Sequence, residues 1–156
     1  MLTVSSAAFA GDGTIPVRHS GLGEDASPPL AWSRPPGRTK ALVVLCEDPD
    51  AKAGTWLHWL IYDIPASENG LPQGIPRTEA AAGGARQGRN SFGRLGWNGP
   101  CPPAGEEHRY VFRLFAVSKL LGLQPGAGRE EALEAMKGWI LARAELTGRF
   151  RRPDGK

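Results

Sequence analysis

The run "RYVFRLFAV", residues 109–117, decides the fold. Side chains alternate across an extended chain, so Tyr110, Phe112, Leu114 and Ala116 share one face, while Val111, Phe115 and Val117 lie on the other with Arg109 and Arg113. Both faces are largely apolar, which predicts a strand central to its sheet. "ALVVLC" (41–46) and "WLHWLIYDI" (56–64) share its β-branched and aromatic content and are bounded by turn formers, so two more strands are expected there. "LTV" near the start, "LAW" at 30–32 and "GRFR" near the end are shorter and are expected at sheet edges.

One helical period follows, late in the chain. Leu133, Met136, Ile140, Leu141 and Ala144 recur at intervals of three and four. Gly138 inside that period costs up to ~1 kcal/mol relative to Ala, which predicts a kink or a break into two short helices, and Gly148 is the expected stop. Between Asn69 and Gly99 no period is visible, and a long Gly-rich loop of this kind is expected to be functional or partly mobile. The 21 glycines and 14 prolines are scattered between short apolar runs instead of being gathered in a linker, so the 156 residues are read as a single, mainly β domain with no internal repeat.

Composition narrows the function. Nineteen basic against 16 acidic residues leave a net charge of +3, and the five tryptophans are not interleaved with Lys and Arg, so a nucleic-acid platform is not expected. No apolar run approaches the ~20 residues that cross a bilayer. "MLTVSSAAFAGDG" lacks the basic start and long apolar centre of a signal peptide and is read as mature sequence. Cys46 and Cys101 are too few for a disulfide framework, so both are expected as reduced thiols in a soluble, cytoplasmic protein.

Three places hold polar residues of the kind that converge in a site: "EDPDA" (47–51), "LHW" (57–59) and "GPCPPAGEEHRY" (99–110). All lie where a predicted strand begins or ends. Asp48 and Asp50 are two apart, as are His108 and Tyr110, so each pair, if extended, points to one face. Pro100, Pro102 and Pro103 fix their own φ and push the preceding residues toward extended backbone, giving a pre-shaped rim. Gly99 and Gly105 allow tight bends at its two ends, and the Cys101 N–H is free to face a ligand.

With "SPPLAW" (27–32), "LPQG" (71–74), "NSFGRLGWNGPCPPAGEEHRYVFRLFA" (90–116) and "LARAELTGRF" (141–150), these motifs resemble the phosphatidylethanolamine-binding protein family, in its bacterial and archaeal, Raf kinase inhibitor-like branch. The resemblance implies a mainly β fold, with a large antiparallel sheet packed with a smaller one and a helix near the C-terminus. It also implies an anion pocket built from Asp48, His58, the rim Gly99, Pro100, Cys101, Pro102 and Pro103, and His108 and Tyr110. Imidazole N–H, phenol O–H and main-chain N–H groups all donate to phosphate or carboxylate oxygens, and Asp48 is expected to orient His58 by accepting its N–H. The sequence departs from the family at Lys52, where Pro is common, and at Trp139, where bacterial members often carry His.

The resulting expectation is a non-enzymatic protein that binds a small phosphorylated or carboxylated ligand without a cofactor. The family name adds a protein kinase partner, and its bacterial members add a homodimer, for which Trp97 and Trp139 are each open to an interface or a core role. The alternative is a phosphoesterase-type hydrolase using the same His/Asp/Tyr pocket, with Ser91 the nearest nucleophile candidate, although no G-x-S-x-G elbow or phosphate-binding Gly-Lys loop is present. A metal site is not expected, because no H-x-H, H-x-x-x-H or C-x-x-C spacing occurs.

Overall fold

The structure is a computed structural model and describes residues 1–154. Two antiparallel sheets organise it. The larger has the order β6-β4-β3-β7-β8, and the smaller has the order β1-β2-β5. The strands are β1 (Val4–Ser5), β2 (Leu30–Trp32), β3 (Ala41–Asp48), β4 (Trp56–Pro65), β5 (Gly70–Leu71), β6 (Arg86–Gln87), β7 (Glu107–Val117) and β8 (Ile140–Arg151), with one α-helix, α1 (Arg129–Met136), before the last strand.

The three strands expected from composition form the middle of the large sheet, and every residue of β3 is buried. Both faces are covered, as the double apolar pattern of β7 requires. Tyr110, Phe112, Leu114 and Ala116 join Val44, Trp59 and Ile61 in the core shared with the small sheet through Leu30, Trp32 and Leu71. Phe115 and Val117 join Val43, Leu45 and Leu60 beneath Ala132 and Met136 of α1. "LAW" is not an edge: β2 is the central strand of the small sheet.

The C-terminal segment corrects the sequence reading most. α1 ends at Met136, Gly138 takes φ +84°, and residues 140–151 form a strand paired with β7 along nearly its whole length. A period of two was present beneath the helical one. Leu146, Gly148 and Phe150 are buried between exposed or half-buried Glu145, Thr147, Arg149 and Arg151. Eleven cross-strand pairs override the local helix preference of "LARAEL", a run made wholly of good helix formers. Gly148 is no helix stop. A Cβ there would sit 2.6 Å from Ile15 and 2.7 Å from Phe9, so glycine lets the N-terminal segment pack across β8.

The loop before the rim is organised, not loose. The Asn90 side chain donates to Gly96 O and Asn98 Oδ1 and accepts from the Phe92 and Arg94 N–H groups. Buried Gln87 accepts from Trp59 Nε1 and donates to Pro76 O and Thr78 O. Trp97 is buried in the core, whereas Trp139 is 45% exposed, with Lys119 Nζ 5.0 Å from its ring centre. Among the described residues no helix is long and apolar enough to cross a membrane.

Candidate functional site

Antiparallel pairing puts the end of β3 beside the starts of β4 and β7, and that shared end of the sheet opens into a pocket of about 260 Å³. Of the nine residues expected from sequence, Asp48, His58, Cys101, Pro102, Pro103, His108 and Tyr110 line it. Gly99 and Pro100 do not. They form the back of the rim: Gly99 N–H donates to Asp25 Oδ1 (2.6 Å) and Pro100 O accepts from Gly21 N–H (2.8 Å). A Cβ on residue 99 would lie 2.0 Å from His19 O, so glycine is required there by packing against the N-terminal segment.

His58 is aimed by a backbone irregularity. Cys46 pairs with Trp59 and the next residue, Glu47, pairs with Leu57, which makes His58 the extra residue of a β-bulge. Bulges re-aim side chains where a sheet ends or builds a site. The buried imidazole meets Tyr110 edge-on, with ring centres 5.2 Å apart, and Phe92 at 5.3 Å. Its Nδ1 is 2.5 Å from Asn98 O, and a carbonyl only accepts, so Nδ1 carries the proton and donates. Burial pulls the His58 pKa below its ordinary value against the pull of that carbonyl and of Asp48. Neutral His58 therefore has an unprotonated Nε2, an acceptor where the sequence reading expected a donor.

His108 is the opposite case. Its Nδ1 is 2.7 Å from Asp48 Oδ2 and its Nε2 is 3.0 Å from Glu106 Oε1. Two carboxylates on two ring nitrogens call for two N–H donors, hence an imidazolium. Burial pulls its pKa down, but the bonds to Asp48 and Glu106 more than offset this and hold it above the ordinary value. Asp48 thus orients His108, correcting the assignment to His58, because β3 presents its last residue to β7 while the bulge turns His58 toward Asn98. Asp50 points elsewhere. It takes both the backbone N–H and the guanidinium of Arg109, which holds its carboxyl at about 2.

Tyr110 is fully buried as a residue, yet its side chain reaches the pocket, and its hydroxyl bonds no protein group among the described residues. Burial, reinforced by the Asp48 charge, pushes its pKa up and keeps it a neutral donor. Ala51, Lys52, Trp56 and Phe92 complete the lining. Lys52, the departure from the family pattern, puts a charge at the pocket; Trp56 and Phe92 carry no such signal in the sequence, and the Asn90 turn brings Phe92 there. Arg152 approaches the rim from beyond β8, with Nη1 3.4 Å from Pro102 O and 3.6 Å from Cys101 Sγ. Ser91 lies outside the lining, with its Oγ accepting from Leu57 N–H (2.8 Å). Among the described residues no cluster of three or more His, Cys, Asp or Glu is arranged to hold a metal ion.

As geometry this is a two-sheet antiparallel β domain with one small, polar-floored pocket at the end of its large sheet. The model of the phosphatidylethanolamine-binding protein family matches residues 5–151. A UPF0098 protein of Methanothermobacter thermautotrophicus is 45% identical over 97% of this chain and 99% of its own length. Escherichia coli YbcL, described as a member of the mammalian PEBP family, superposes with a TM-score of 0.89 at 31% identity, covering 96% of this chain and 98% of its own. The PEBP homolog CT736 of Chlamydia trachomatis superposes at 0.86 with 35% identity, covering 97% of each chain. The chain belongs to the phosphatidylethanolamine-binding protein family.

Proposed function

We propose that this chain is a cytoplasmic, non-enzymatic binding protein whose pocket holds a small ligand through a phosphoryl or carboxyl group. The observation that carries the reading is the convergence of His58, His108 and Tyr110, from distant parts of the chain, on one open pocket bordered by the Lys52 ammonium. The pocket is amphipathic in a way that suits such a ligand. Tyr110 and Lys52 donate to anionic oxygens, His58 Nε2 accepts from a protonated phosphoryl oxygen or another O–H, and Trp56 and Phe92 flank whatever carries the group.

The test is calorimetric titration of inorganic phosphate into the full chain at fixed ionic strength. One saturable site is expected, weakened about tenfold or more by Tyr110→Phe, since a hydrogen bond to a charged group contributes roughly 1.5–3 kcal/mol. Absence of binding, or an identical affinity in Tyr110→Phe, would overturn the reading. Turnover of phosphomonoesters that His58→Ala abolishes would replace it with the hydrolase.

A further inference from the structure

A carboxylate beside the pocket already engages its cationic lining residues. Glu106 sits two residues before His108, outside the lining but in contact with two residues of it. One of its carboxylate oxygens is 3.0 Å from His108 Nε2 and the other is 3.3 Å from Lys52 Nζ. These are the two cationic donors that face the pocket, and Glu106 engages both. Asp48 holds the remaining nitrogen of His108 at 2.7 Å, so the imidazolium has no N–H left for a guest. The other charges nearby are committed elsewhere. Arg109 pairs with Asp50 across 2.8 Å, and Arg152 points to Pro102 O and Cys101 Sγ. His58 adds an acceptor and Tyr110 a neutral hydroxyl.

The contact is built to open. The Glu106 main chain is fixed, its N–H donating to Pro103 O and its carbonyl accepting from Arg152 N–H, both at 3.0 Å. Its side chain is 37% exposed and that of Lys52 is 77% exposed, so rotation of the Glu106 side chain alone would release His108 Nε2 and Lys52 without disturbing the rim.

We infer that Glu106 is a tethered competitor, a carboxylate that occupies the anion position until a stronger anion displaces it and so sets the pocket's preference for phosphoryl over simple carboxyl ligands. This rests on the pocket reading given above. The preference follows from exchange. An incoming monocarboxylate replaces the Glu106 contacts with equivalent ones and gains nothing against a partner held at high local concentration by its tether. A phosphoryl group brings more charge and a third oxygen, which reaches Tyr110, and its own proton satisfies His58 Nε2.

The test titrates inorganic phosphate and, separately, acetate into wild type, Glu106→Gln and Glu106→Ala, and follows the His108 ring resonances by NMR in each. Phosphate is expected to bind about two- to fivefold tighter in Glu106→Ala, the range that release of a partly exposed ion pair allows, with Glu106→Gln between the two. Acetate binding is expected to emerge in Glu106→Ala alone, and His108 is expected to titrate at lower pH in both variants. Wild type that binds phosphate while neither variant binds it more tightly would sink the competitor and leave the pocket reading intact. Absence of phosphate binding in all three proteins would sink both.

Discussion

His58 and His108 line one pocket and carry opposite charge states. The difference lies in what each meets. His58 lies among aromatic rings with one carbonyl on its Nδ1, while His108 is gripped between two carboxylates. Burial acts on both and favours the neutral ring. The carboxylates overcome it at His108, and a single carbonyl does not at His58. One floor therefore sets a neutral acceptor beside a charged ring whose two N–H groups are held by the protein's own carboxylates, an arrangement that two equivalent histidines would not provide.

The sharpest way to break this contrast is Asp48→Ala. The Asp48 and His108 side chains are 6% and 7% exposed, and removing one partner of a buried pair leaves the other charge without its counterion. A loss of about 3 kcal/mol is expected, at the lower end for buried pairs because the pocket admits water. Urea unfolding measures it. An unchanged midpoint would mean that His108 is held neutral and that the asymmetry between the two rings is false.

Titration of the same rings sharpens the contrast without mutation. His108 is expected to lose its proton above the unperturbed ~6.5 and His58 below it. The consequences for stability have opposite signs. Folded His108 holds a proton that the unfolded chain gives up, so its contribution is complete below ~6.5 and disappears as pH rises through its folded pKa. Folded His58 resists protonation, so as pH falls below ~6.5 the unfolded chain takes up a proton that the folded one does not, and stability declines toward the folded pKa. His19, buried and also shifted down, adds to the acid-side decline. NMR titration resolving His58 above His108 would overturn the assignment.

Most of the fold was legible, and the limits of the sequence reading have physical reasons. Apolar runs announced β3, β4 and β7 because each is covered on both faces, and the rim announced itself by its prolines. What depended on pairing between distant strands was not visible. The bulge that turns His58, and with it the choice of His108 as the partner of Asp48, exists only in the register of β3 against β4. The "GRFR" end of β8 is the expected edge strand, but its first half reads as helix because Ile140, Leu141 and Ala144 satisfy a helical spacing that only pairing with β7 overrides. Gly99 and Pro100 looked like pocket lining from their neighbours, whereas contacts with residues 19–25 turn them to the rear. A hint of Glu106 was present, since a carboxylate two residues before His108 shares its face of an extended chain.

The gentlest probe uses the other acid of "DPD". Asp50 holds Arg109 through a two-point contact on the surface, where both side chains meet water, in contrast to the enclosed pair formed by Asp48 two residues earlier. Asp50→Asn is expected to cost less than about 1 kcal/mol at neutral pH, as surface ion pairs do, and to leave the His108 titration in place. The wild-type contribution should fade only in acid. The Arg109 contact holds the Asp50 carboxyl at about 2, so its stabilisation is present above the unfolded value near ~3.9 and is lost as pH falls from there through 2. Urea midpoints for the two proteins should therefore converge in strong acid. A cost in Asp50→Asn as large as that in Asp48→Ala would show that the two aspartates act as one unit and that burial does not separate them.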